Sequence, residues 1–196
     1  MALVLRAIMT FLLLMVLLSV AWVYYSEKKK GSPTSEMPSE GKSFDEWHLY
    51  TSPTGQFQVF LPTLPQSASS KMQDPKTQET KVFSTHVSQK PDGTIYMVSL
   101  IAFPTDNADE SDASLVNQAI QDMVVARDNN TLKEMKNGVY KGHKTIDFVI
   151  ENGDLNIWGK AFKKDKKIVI LTVTKPKGAI DPEEFNFFIN SFEMKP

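Results

Sequence analysis

The chain has 196 residues, with 22 Lys plus Arg against 23 Asp plus Glu, and no cysteine. Disulfide staples, thiolate metal sites, a cysteine nucleophile and a lipidated cysteine are therefore excluded. Four basic residues (Arg6, Lys28, Lys29, Lys30) and one acid (Glu27) fall within the first thirty positions, so the remainder carries 18 basic against 22 acidic residues. That balance lacks the basic footprint that nucleic-acid binding requires.

From Ala7 to Tyr25 there are 19 residues without a charge. At about 1.5 Å per residue in a helix, such a run nearly spans a hydrocarbon core of about 30 Å. Trp22, Tyr24 and Tyr25 sit at its end as interfacial aromatics do, and Glu27 with the three lysines returns the chain to water. Two readings stand. In one, residues 1–26 are an uncleaved signal anchor. In the other, Arg6 and the run Ile8 to Leu18 belong to a signal peptide cleaved after Ala21, at Ser19-Val20-Ala21. The anchor is the expectation, because the apolar run continues through Trp22 to Tyr25. Charge bias alone favours a cytoplasmic domain. The short n-region and the small-residue site favour export. The expected arrangement is a single-pass protein of the cell membrane with an extracytoplasmic domain. Residues 27–43, rich in Lys, Ser, Pro, Gly and Glu, read as a flexible tether.

A globular domain is expected over 44–196. Trp47 to Tyr50 predicts a short strand, Ser52-Pro53-Thr54-Gly55 a turn, and Phe57, Val59 and Leu61 alternate as the buried face of a second strand. A polar loop is expected from Pro62 to about Thr77. Lys81–Gln89 and Thr94–Phe103 predict strands joined by the turn Lys90-Pro91-Asp92-Gly93. The second is apolar on both faces, as a central strand is.

The period then changes. Leu115, Val116, Ala119, Ile120, Met123 and Val124 fall at helical spacing, with a cap among Asp109 to Asp112 and Asn129-Asn130 closing the helix. Leu132–Lys136, Tyr140–Glu151, Leu155–Phe162 and Ile168–Thr174 predict further strands, with Asn137-Gly138 and Asn152-Gly153 as turn pairs. Asp181-Pro182 opens a last helix, with Phe185, Phe188, Ile189 and Phe192 on one face or at its exit. Hairpins plus two packed helices predict an α+β fold, an antiparallel sheet sandwiched with two helices.

Two stretches carry a family resemblance. Trp47…Tyr50-x-Ser52-Pro53-x-Gly55-x-Phe57-x-Val59-x-Leu61-Pro62-x-x-Pro65 resembles the opening of PsbP/Mog1-like domains. Phe185-x-x-Phe188-Ile189-Asn190-Ser191-Phe192 is similar to their closing helix. The likeness follows element order over about 45–194, on turn and core residues. It implies a non-catalytic accessory or binding module of a membrane complex, and it brings no active-site motif with it.

Candidate chemistry is sparse. His48, His86 and His143 lie on separate strands without metal-ligand spacing. Asp106, Asp109, Glu110 and Asp112 lack the Gly and late Glu of a calcium loop, and suit a helix N-terminus. Trp158 and Phe162, on alternate residues of a strand, suit a core. Lys160, Lys163, Lys164, Lys166 and Lys167, with Lys175 and Lys177 nearby, surround one hairpin and could meet a membrane or a partner. No cofactor or metal is expected. The expected function is a membrane-anchored accessory or interaction domain with a protein partner in a membrane complex. The rivals are an extracytoplasmic hydrolase or metal-dependent enzyme, and a cleaved, secreted small-ligand binding protein.

Overall fold

A computed structural model describes residues 44–73, 80–104, 111–176 and 178–195. The expected membrane helix and tether lie outside them. So do the acids Asp106, Asp109 and Glu110, and Lys177. Among the described residues, no helix is long and apolar enough to cross a membrane.

Seven strands form one antiparallel sheet in the order β3 (Gln66–Gln73), β4 (Thr80–Gln89), β5 (Ile95–Ala102), β9 (Lys167–Pro176), β8 (Leu155–Lys164), β7 (His143–Asn152) and β6 (Thr131–Tyr140). A second, three-stranded sheet joins β1 (His48–Thr51), β2 (Phe57–Leu61) and the two-residue β10 (Glu193–Met194), again antiparallel. The helices are α1 (Asp112–Val125) and α2 (Pro182–Ser191).

Strand alternation makes two cores. On one face, Ile146, Phe148, Ile150, Ala161, Ile168 and Ile170 receive Leu115, Val116, Ala119 and Ile120 of α1, which packs on β7 and β8. On the other, Tyr96, Val98, Leu100, Phe162, Val169, Leu171 and Val173 receive Phe57, Val59 and Leu61 of β2 with Phe188, Ile189 and Phe192 from α2 and its exit. Each fully buried large side chain contributes about 1.5–3 kcal/mol. The expected α+β sandwich is therefore present, with one helix on each face, and the small sheet completes the second layer. The strand expected to be covered on both faces, β5, lies beside the central strand β9.

The helix caps follow the sequence. The Ser111 side chain accepts from Ser114 N–H at 3.2 Å, and the Asp181 carboxylate accepts from Glu183 N–H at 2.8 Å, with Pro182 opening α2. Two expectations are corrected. Gln66–Gln73 is a strand, not a loop: its side chains are polar apart from Ala68 and Met72 because it is a sheet edge with both faces largely exposed. Asn137-Gly138 is not a turn but lies inside β6. The reversal falls at Lys141-Gly142, whose φ values of 47° and 84° are those of a two-residue hairpin turn.

Gly159 is needed for packing. It stands opposite Phe148 across β7 and β8, and a Cβ there would overlap the Phe148 ring, itself buried in the α1 core. Overpacking of this kind costs about 1–3 kcal/mol. Gly159→Ala is expected to lower the unfolding free energy measured by urea titration by that amount, and adding Phe148→Leu should return part of it.

Candidate functional site

A cleft of about 310 Å³ opens at one end of the strands, near the lower limit of small-ligand sites. Four separate segments line it: Phe44, Glu46 and Trp47 where the chain enters the domain, Pro62 and Thr63 after β2, Lys90 and Pro91 in the β4–β5 turn, and Glu184 in the first turn of α2. Phe44 stacks on Phe187 with ring centroids 4.1 Å apart, and Trp47 meets the fully buried Tyr96 edge to face at 4.9 Å. Phe44 and Trp47 thus make one wall, backed by Phe187 and Tyr96, and the prolines add apolar surface.

The polar feature is Glu184, whose side chain is only 12% exposed. One carboxylate oxygen accepts from the Tyr96 hydroxyl at 2.5 Å, the other from the Lys90 ammonium at 2.9 Å. Burial first, and then the hydrogen bond and charge of Glu184, raise the Tyr96 hydroxyl far above its ordinary range, so it remains a donor. A buried carboxylate with one oxygen held by tyrosine and the other by a half-exposed lysine can exchange partners at its outer side. An incoming cation can take the place of Lys90, and an incoming carboxylate can bind Lys90. Set among aromatic and proline surface, that arrangement suits recognition of a mixed polar and apolar group.

Sequence reasoning missed Glu184 because acids in a first turn usually face solvent and serve the helix dipole. A signal was available: Glu184 precedes Phe188 by one helical turn and so shares its apolar face.

The lysines of the β8–β9 hairpin do not form one patch. Lys160 lies on the α2 side of the sheet, paired with Asp147, and is largely covered. Lys163 lies on the opposite face, bound to Asp112 at the start of α1 at 2.7 Å. Lys164, Lys166 and Lys167 mark the turn itself, where Asp165 takes a φ of 52°. Lys175 stands at the other end of β9, opposite Asn156. The hairpin tip and the cleft are at opposite ends of the strands, since Lys164 pairs with Lys167 at one end of β8 and β9, while Trp158, Val173 and Tyr96 align near the other.

The three histidines stay apart. His48 is exposed on β1, and His143 stacks on Phe162 at 5.6 Å. His86 is buried in a cage of hydroxyls, with Nδ1 bonded to Tyr50 at 3.0 Å and Ser67 at 2.7 Å, and Nε2 to Ser84 at 3.0 Å. Among the described residues no group of three or more His, Cys, Asp or Glu is placed to hold a metal ion. Trp158 packs against Phe185 at 5.7 Å and Phe162 is fully buried, so both serve the α2-side core.

No family model matches the sequence, and no curated protein matches it. The fold is similar to the solution structure of cyanobacterial PsbP (CyanoP) from Synechocystis, with a TM-score of 0.50 and 11% identity over 81% of this chain and 98% of that one. A crystal structure from Bacteroides thetaiotaomicron (TM-score 0.38, 12% identity, 77% of this chain and 49% of that one) is less similar. So is a protein of unknown function from Pseudomonas aeruginosa (0.34, 12%, 67% and 83%). The domain thus has a PsbP-like fold, and at this identity the likeness concerns fold alone.

Burial lowers the pKa of His86 from its ordinary 6.5. The unfolded chain therefore takes up this proton first, so stability from the neutral ring is present above 6.5 and is lost as pH falls below it. The urea midpoint is expected to drop between about pH 7.5 and pH 5.5, with a shallower drop in His86→Gln. Equal slopes in the two proteins would assign the pH dependence to other groups.

Proposed function

We propose that the chain is a membrane-anchored, non-catalytic accessory protein of the PsbP/Mog1-like family, whose cleft receives a protein partner in a membrane complex. The observation that carries this reading is the position of the cleft: Phe44, the first described residue after the tether, is one of its walls. The uncharged run Ala7 to Tyr25 is the anchor, and residues 27–43 are the tether. A flexible chain of 17 residues has an end-to-end distance of about 21–25 Å. A ten-residue strand is about 33 Å long. The cleft end of the domain is thus held within one domain length of the bilayer, and the Lys164–Lys167 turn points away from it. A partner for the cleft is accordingly a membrane protein, or a segment standing at the membrane surface. The domain lies on the extracytoplasmic side in this reading, and the PsbP-like fold supports an accessory role by analogy.

Full-length protein is expected in the membrane fraction after alkaline carbonate washing, with a C-terminal tag digested by protease added to spheroplasts. A soluble mature form beginning after Ala21 would instead make it a secreted binding protein. A protected, membrane-bound tag would place the domain in the cytoplasm.

The site itself is tested by a photo-crosslinking residue at Thr63, in the cleft, or at Lys166, at the far hairpin. In intact membranes the Thr63 position should give the stronger adduct with a membrane protein. A strong adduct from Lys166 alone would move the interaction to the lysine end.

A further inference from the structure

Among the described residues the sheet has two unpaired edge strands, and they differ in chemistry. The β3 edge is polar, with Gln66 to Lys71 all exposed. The β6 edge carries two exposed apolar side chains, Met135 at 43% and Val139 at 75%. Both fall on the face that buries Phe148, beyond the strands on which α1 packs. Beyond the irregularity at Lys133, residues Glu134 to Tyr140 pair with β7 one for one. The outer N–H and C=O groups of that regular stretch form a template for another strand.

We infer that β6 is a self-association edge, and that its occupant is β6 of a second copy of this chain, paired antiparallel about a two-fold axis through Asn137. Directly opposed residues share a face of a sheet, so such an axis must pass through a residue. Placed on Asn137, it sets Met135 against Val139 of the partner subunit, and Val139 against the partner's Met135. The two most exposed apolar groups of the strand then cover each other. On the other face Lys136 meets a glycine, and Glu134 meets Tyr140, beside the Lys141 cation. Glu134 and Lys136 already neutralise each other within the strand at 2.7 Å. The two Lys136 side chains are diagonal neighbours across the axis, and each comes to the seam already paired with the carboxylate of its own strand.

Neighbouring registers do worse. An axis on Lys136 opposes two lysines and sets Met135 against asparagine. An axis on Met135 draws the irregular Lys133 into the ladder. An axis on Gly138 carries Glu134 past the strand end to Gly142. The Asn137 register alone uses the regular stretch from end to end. The product is one continuous sheet of two subunits with the α1 helices on a common face. The inference rests on β6 and does not depend on the function proposed for the cleft.

The chain has no native cysteine, so single cysteines report the seam directly. Opposed Cα atoms in an antiparallel pair are about 4.5–5.5 Å apart, within disulfide reach. In full-length protein, in its own membranes or in detergent micelles, Asn137→Cys should oxidise to a covalent dimer, and Ser69→Cys on β3 should not. Mixing Met135→Cys with Val139→Cys should give the mixed dimer in preference to either homodimer. Val139→Asp sets a carboxylate into the apolar pair and should weaken self-association in analytical ultracentrifugation by about tenfold or more. Both positions are exposed, so the circular dichroism spectrum should not change. Asn137→Cys crosslinking no better than Ser69→Cys, or wild-type protein sedimenting as a monomer throughout, would overturn the proposal. Preferred homodimers of Met135→Cys would overturn its register.

Discussion

The central strands β5 and β9 are apolar on both faces, and the rest of the domain is arranged to cover both. Tyr96, Val98 and Leu100 point one way with Val169, Leu171 and Val173, while Ile168 and Ile170 point the other. On the α1 side one helix of 14 residues packs on β7 and β8. On the other side the 10-residue α2 shares the covering with a hairpin. That hairpin is β1–β2, and β10 ties it to the exit of α2. The hydroxyl of Tyr140 locks that corner, its one proton shared between the carbonyls of Ile189 and Phe192, each 2.7 Å away.

The elements with strong periodicity were legible from the residues. Phe57, Val59 and Leu61 announced β2, and Leu115 to Ile120 announced α1. Asp181-Pro182 placed the start of α2. The misreadings have physical causes. β3 has no apolar face to announce it, because its fold position is a solvated edge, so its ladder with β4 is the only thing that makes it a strand. Asn137-Gly138 has the composition of a turn, but both neighbouring segments continue the ladder with β7. Lys141 takes the positive φ that asparagine would more readily adopt.

The site was far less legible. The cleft is built from four segments separated by up to 140 residues, and no local pattern encodes it. The lysines around one hairpin look like a cluster in the sequence. Strand alternation divides them, sending Lys160 to one face and Lys163 to the other, each to its own carboxylate. His86 shows the same principle in reverse. Of the hydroxyls near it in the sequence (Ser84, Thr85 and Ser88), only Ser84 bonds the ring, and its other two partners come from β1 and β3.

The pairing of β2 with β10 has a bearing on how the chain is made. Gln58 and Glu193, hydrogen-bonded across that ladder at 2.7 Å, are 135 positions apart. At synthesis rates of 5–20 residues per second, roughly 7–27 s separate their appearance. Within that interval Phe57, Val59 and Leu61 have been translated and α2, which must cover them, has not. This layer cannot close until α2 and β10 have been made. The nascent domain spends that time as an incomplete sandwich with an apolar flank open to capture by holding chaperones or to misassembly.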